Sequence, residues 1–283
     1  MEYKIRQATR EELDIAVGWA AKEGWNPGLG DAEVFWKTDP EGFVALEVDG
    51  EMVGSGSIVS YGGKFGFMGF FIVKPEFRGK GWGTKLWHWR RDKLLSRLNK
   101  GAPIGMDGVF AMQPFYAKGG FVLAHRDMRM EGVGKIMQFS ENVKAIEVDD
   151  LDEISSLDVK FFGYERRTFL QGWLLMNNSQ ALKYVDGGEI KGYGVVRKCQ
   201  TGYKIGPLFA DNYEVADELF RAMSTFADGE PIYLDVPEIN IDGMKLAKNY
   251  NMKECFGCAR MYYSQAPALP YDKIFGVTSF ELG

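Results

Sequence analysis

The sequence predicts an α/β fold with a mixed sheet, laid down twice along the chain. Three observations carry this. First, Asp49-Gly50-Glu51-Met52-Val53-Gly54-Ser55-Gly56 is echoed by Gly187-Gly188-Glu189-Ile190-Lys191-Gly192-Tyr193-Gly194, each set between apolar stretches. Asp-Gly and Gly-Gly accept positive φ, so both read as hairpin turns. Second, Ile104-Gly105-Met106-Asp107 returns as Ile232-Tyr233-Leu234-Asp235, and Ala117-Lys118-Gly119-Gly120-Phe121 returns more faintly at Ala247 to Met252. Third, the echoes keep their order while the loops between them change length, as a repeated unit would.

The elements of the first half follow in order. Strands are expected at Tyr3–Gln7, Gly42–Val48, Glu51–Ser60, Phe65–Val73, Ile104–Val109 and Phe121–Met130. Helices are expected at Arg10–Glu23, Asp31–Thr38, Gly81–Leu98 and Pro114–Lys118. In the second half the clearest helix is Glu214–Ala227, where Ala216, Leu219, Met223 and Phe226 fall on one face. A new β-like start at Ala145-Ile146-Glu147-Val148 puts the boundary within Gln138 to Lys144. The chain therefore divides into residues 1–138, residues 144–264 and a tail, 265–283, whose β-prone stretch Tyr271 to Leu282 returns to the sheet.

Composition bounds the function. With 46% apolar, 26% charged and 14% aromatic residues, the chain has ample core and is neither disordered, a disulfide miniprotein nor a coiled coil. Thirty-five glycines in 283 residues point to many turns or close backbone approaches. A net charge of −5 offers no footprint for nucleic acid. Three cysteines, Cys199, Cys255 and Cys258, make no paired framework, and Cys255-x-x-Cys258 lacks the further ligands a zinc site needs, so no metal is expected. The first residues lack a signal-peptide core and no apolar run reaches membrane-spanning length. The expected setting is the cytoplasm, with the nucleus also open, and no membrane partner.

One segment carries the chemistry. Phe70-Phe71-Ile72-Val73 runs as a strand into Pro75, and Arg78-Gly79-Lys80-Gly81-Trp82-Gly83-Thr84 then opens a helix. Three glycines strip the loop of Cβ atoms, so successive N–H groups can converge on an anion. The helix adds its positive end, and Arg78 and Lys80 add full charges suited to phosphate oxygens. A pyrophosphate fits this apparatus, although the usual nucleotide fingerprints are absent.

Arg78-x-x-Gly81-x-Gly83 resembles the acyl-CoA pyrophosphate loop of the GNAT superfamily of N-acetyltransferases. Tyr116-Ala117-Lys118-Gly119-Gly120-Phe121 resembles the family's Tyr-x-x-x-Gly-Phe. The resemblance implies tandem GNAT-like lobes, each a mixed, mostly antiparallel sheet flanked by helices, with acetyl-CoA as co-substrate. Phe71, Ile72 and Val73 would pair with the pantetheine arm, the amides of Arg78, Gly79, Lys80, Gly81, Trp82, Gly83 and Thr84 would hold the pyrophosphate, and Tyr116 would hydrogen-bond the departing thiolate.

The acceptor must be a neutral amine. At pH 7 a lysine amine, pKa about 10.4, is neutral in roughly one molecule in two thousand, and an α-amine, near 8, in roughly one in ten. No carboxylate lies between Phe65 and Val73. Asp107 is the nearest substitute base, although Asp235 holds the echoed place and suggests that both bridge at a strand end. A small amine or α-amine is therefore the expected acceptor, with a protein lysine as the alternative. Trp25 and Asn26, in Gly24-Trp25-Asn26-Pro27-Gly28, resemble an acceptor-pocket loop of two-lobed members. Arg166 offers a guanidinium that would grip an acceptor carboxylate or form an ion pair between the lobes. In the second half, Gly206 to Glu214 lacks the glycine loop, and Asp211 and Glu214 would repel pyrophosphate, so that lobe reads as degenerate. No cysteine lies near the loop or Tyr116 in sequence, which predicts direct transfer in a ternary complex. The rival reading is an idle acyl-CoA sensor or scaffold.

Overall fold

A computed structural model describes residues 2–283. The first half runs β1 (Tyr3–Gln7), α1 (Arg10–Lys22), α2 (Asp31–Thr38), β2 (Phe43–Val48), β3 (Glu51–Ser57), β4 (Val59–Tyr61), β5 (Phe65–Phe67), β6 (Ile72–Val73), α3 (Trp82–Arg97), β7 (Ile104–Val109), α4 (Gln113–Lys118) and β8 (Phe121–Val133). The second runs β9 (Val143–Ala145), α5 (Leu151–Phe162), α6 (Arg167–Leu174), β10 (Ser179–Asp186), β11 (Glu189–Lys198), β12 (Tyr203–Ala210), α7 (Tyr213–Phe226), β13 (Pro231–Pro237), α8 (Ile241–Asn249), β14 (Lys253–Tyr263) and β15 (Ile274–Gly276). Local rules start and stop these elements. Thr9 and Glu12 form a reciprocal capping box on α1. Both hairpin turns hold consecutive positive φ values, 49° and 86° at Asp49 and Gly50, 57° and 82° at Gly187 and Gly188.

Two expected strands are broken. Glu51–Ser60 divides into β3 and β4, and Phe65–Val73 into β5 and β6. At the break Phe70 turns to φ 50°, Ser57 N–H donates to Gly69 O at 2.7 Å and Gly69 N–H donates to Ser57 Oγ at 2.7 Å. The chain thereby passes from one sheet to another. β6 closes a four-stranded sheet, β1-β2-β3-β6, while β4 and β5 open an eleven-stranded sheet in which β5 pairs β7 in parallel. β6 and β7 do not pair. A wedge opens between them, leaving one edge of Ile72–Val73 without a strand partner among the described residues.

The large sheet runs β4-β5-β7-β14-β8-β13-β12-β11-β10-β9, with β15 added against β12. Its centre is an exchange: the last long strand of each half lies in the other half's sheet. β14 sits between β7 and β8, and β8 pairs β13. The aspartate echo finds its cause here. Asp107 on β7 lies opposite Arg260 on β14, and Asp235 on β13 lies opposite Arg129 on β8. Each aspartate receives a two-pronged guanidinium, at 2.6 and 2.7 Å for Arg260 and 2.7 and 2.7 Å for Arg129. The sequence boundary at 138–144 is therefore not a boundary between two independent sheets.

Candidate active site

The wedge holds a cavity of about 450 Å³. One wall is β6 and Phe71, the next is the Arg78–Gly83 loop and the start of α3, the third is Met106, Asp107 and Val109 of β7 with Tyr116 of α4. Phe256 and Cys258 of β14, together with Phe280 and Glu281, close the far side. The exchange thus brings the second half into a site whose motifs all lie in the first.

The glycine loop is shaped as an anion cradle. Gly79 and Gly81 sit at φ 74° and 83°, and a Cβ at either would meet nothing within 4 Å. α3 begins at Trp82 with no side-chain cap. Among the described residues no backbone carbonyl accepts from the amides of Gly79 to Thr84. Unpartnered donors at a helix start are where an anion binds. The corresponding helix of the second half, α7, is closed by Asn212, whose side chain accepts from Val215 N–H at 3.0 Å. The side chains in the loop play different parts. Trp82 is buried against Tyr3, so only its amide faces outward, while Lys80 and Thr84 are exposed. Arg78 donates to Val73 O at 2.7 Å and to Glu23 at 2.5 Å, across the mouth of the cavity.

Tyr116 is 4% exposed, and its ring packs so closely on β7 that a Cβ at Gly108 would lie 2.3 Å from it. Burial pushes its pKa up to about 12, with Arg90 pulling the other way. The phenol therefore stays protonated at neutral pH, as a donor. Arg90, which no sequence pattern singled out, is fully buried beside it. Its Nη2 donates to Ser57 O at 2.7 Å and Gly69 O at 2.6 Å, stapling the strand break, while Nε and Nη1 have no partner among the described residues. Burial lowers its pKa to about 9, which leaves it charged at pH 7.

Several expected site residues do other work. Asp107 lines the cavity, but both of its oxygens accept from Arg260, so it bridges strands rather than facing an acceptor as a free base. Asn26, at φ 51°, has both ends of its amide tied to the Thr201 backbone at 2.9 Å, which fixes the loop and removes it from substrate contact. Arg166 is held by Asp158 at 2.7 and 2.8 Å and by Thr278 at 2.9 Å, deep among aromatic rings and away from the cavity. Trp25 does line the cavity, and its carbonyl anchors Arg129 and Lys204 at 2.7 and 3.3 Å. The sequence also placed no cysteine near Tyr116. Strand exchange overturns that, because Cys258 of β14 lines the same cavity. Burial pushes its thiol well above the usual range, so it is a poor nucleophile. Cys255 is exposed, so the C-x-x-C pair is split between surface and interior.

Comparison with known proteins agrees with this geometry. Residues 5–121 match a model described as the acetyltransferase (GNAT) family, and residues 154–276 match one described as an acetyltransferase (GNAT) domain. The chain is similar to the holothin acyltransferase of Pseudoalteromonas sp. (strain SANK 73390), 32% identical over 280 residues, covering 98% of this chain and 94% of that one. A putative acetyltransferase from Pyrococcus horikoshii superposes with a TM-score of 0.84 at 23% identity, over 99% of this chain and 96% of that one. A tandem GNAT protein from the clavulanic acid biosynthesis pathway superposes with a TM-score of 0.64 at 12% identity, over 94% of this chain and all of that one.

Proposed function

The chain belongs to the GNAT family of acetyltransferases, and we propose that it moves an acetyl group from acetyl-CoA directly onto the amine of a small acceptor. One observation carries this reading: the uncapped glycine loop, the free edge of β6 and Tyr116 border a single cavity. The amides of Gly79 to Thr84 fit a pyrophosphate, and the Ile72–Val73 edge fits an extended amide arm laid alongside it as an added strand. The thioester supplies the activated acyl group. Tyr116 donates a hydrogen bond to the sulfur as charge gathers there, and Arg90 holds a positive charge nearby.

A small acceptor is supported by enclosure. The cavity lies within the roughly 300–1,000 Å³ range of small-molecule sites. Its far wall is built from β14 and residues 280–281, where a protein chain bearing a lysine would need an open groove. Direct transfer is supported by Cys258, the one cysteine lining the cavity, because its thiol is held neutral.

Free-thiol release from acetyl-CoA, measured across a panel of small amines and lysine peptides, tests the reading. Turnover of small amines is expected. Binding of acetyl-CoA without thiol release for any acceptor would instead favour the idle sensor. In the same assay Tyr116→Phe is expected to lower kcat by about ten- to a hundredfold, the worth of one hydrogen bond to a developing charge. Incubation with acetyl-CoA alone should leave the protein mass unchanged, and Cys258→Ala should keep its turnover. An added acetyl group that Cys258→Ala abolishes would replace direct transfer with a covalent route.

A further inference from the structure

We propose that Glu281 receives the acceptor's amine and takes its proton, and that the acceptor is a primary amine on a flat, apolar body. The inference rests on the acyl-transfer reading and goes beyond it by assigning the base and the chemistry of the acceptor.

Glu281 is 2% exposed, lines the cavity, and neither carboxylate oxygen has a hydrogen-bond partner among the described residues. A buried carboxylate left without donors is costly and uncommon, so one facing a cavity asks for a donor from a ligand. The groups around it do not serve. Asp31 on α2, Arg129 on β8, Arg197 on β11 and Lys204 on β12 all act on its charge, yet none hydrogen-bonds it. Arg129 is committed to Asp235 and the Trp25 carbonyl, and Arg197 is held by Asp31 through Nε and Nη2 while its Nη1, also buried, reaches neither Glu281 oxygen.

Its position is fixed from both sides. A Cβ at Gly69 would fall 2.2 Å from the Glu281 carbonyl oxygen, so the Glu281 backbone abuts the strand break from which β6 emerges. Tyr61 donates to Leu282 O at 2.8 Å, Leu282 N–H donates to Ser279 Oγ at 3.1 Å, and Arg166 holds Thr278 at 2.9 Å. Arg166 is thereby a positioning residue for this segment. Trp25, Phe70, Phe256 and Phe280 supply the apolar lining of the same cavity, which suits a flat hydrophobic body better than a polar one.

The step balances. The amine lone pair forms the C–N bond at the thioester carbonyl, and the C–S bond breaks with its electron pair passing to sulfur. The proton released from nitrogen goes to the Glu281 carboxylate and on to solvent. A solvent proton completes the thiol after Tyr116 has stabilised the thiolate. Burial raises the Glu281 pKa, with Lys204 opposing, which makes the carboxylate a stronger base and moves its protonation toward neutral pH.

The test compares the full chain with Glu281→Gln and Glu281→Asp. Calorimetry measures acetyl-CoA and, separately, benzylamine; kinetics measures kcat/KM against pH with benzylamine and with glycinamide. Glu281→Gln is expected to bind acetyl-CoA as the parent does, to bind benzylamine at least tenfold more weakly, and to lose about a hundredfold or more in kcat. The parent should show an acid limb above the ordinary carboxylate range that stays fixed when the acceptor changes. That limb should vanish in Glu281→Gln and persist in Glu281→Asp. Equal benzylamine binding in parent and Glu281→Gln, no benzylamine binding by the parent, or an unchanged acid limb in Glu281→Gln would each overturn the proposal. Failure of the parent to bind acetyl-CoA would strike the acyl-transfer reading, while the amine titration would still decide Glu281.

Discussion

A chain cut after residue 138 is expected to yield no folded acyl-CoA-binding domain, although it keeps Arg78 to Gly83 and Tyr116. The reason is the strand exchange. Among the described residues β8 pairs only with β13 and β14, and both lie beyond the cut, so its thirteen residues would lose every ladder partner. β7 would lose its β14 neighbour as well. Asp107 and Arg129 are buried and would be left without Arg260 and Asp235. Stranding a buried charge costs about 3–5 kcal/mol, so two such losses rival the roughly 5–15 kcal/mol that stabilises a whole domain. Expression of 1–138 should therefore give insoluble or loosely packed protein. Co-expression with 139–283 should restore solubility and acetyl-CoA binding. A monomeric 1–138 with dispersed amide resonances and unchanged affinity would refute the structural role assigned to β14.

The contrast between those two outcomes marks what a sequence can disclose. Local physics was legible: Asp49-Gly50 and Gly187-Gly188 announce turns because few other residues accept their φ values, and the glycines after Arg78 announce a cradle for the same reason. The GNAT resemblance of both halves was legible through those motifs and their order. Long-range pairing was not. The echo of Asp107 in Asp235 was visible, but their partners lie 153 and 106 residues away, and nothing in a strand's composition states which half it will join. The same exchange carries Cys258 into the cavity. Glu281 was hidden differently. It follows no motif, and only the packing of Ser279 and Leu282 places it beside Gly69. Asn26 and Arg166 show the converse error, since a polar side chain in a suggestive segment is as readily consumed by the fold as offered to a ligand.

Gly83→Val is expected to abolish acyl-CoA binding in a protein that still folds. Gly83 lies in the first turn of α3, and a Cβ built there would point toward Phe71 at 3.6 Å and Val73 at 3.9 Å. A single methyl is thus an ordinary contact, and Gly83→Ala should retain binding within about tenfold, a change of about 1.4 kcal/mol. The two γ-methyls of valine have no such room. They enter the wedge between α3 and the free edge of β6, where the chain of an extended ligand would run, and they screen the uncapped amides from a pyrophosphate. Valine also exceeds glycine in helix propensity, so the variant gains rather than loses local stability. Gly81→Val is the weaker experiment, because Gly81 sits at φ 83° and a β-branched residue there would strain the backbone by about 1–2 kcal/mol as well as block the loop. The measurement is a calorimetric titration of acetyl-CoA into parent, Gly83→Ala and Gly83→Val, with thermal unfolding run alongside. An affinity loss of at least about a hundredfold, about 2.7 kcal/mol, is expected for Gly83→Val at a melting temperature no lower than the parent's. Unchanged affinity in that folded variant would remove the loop from the acyl-CoA site.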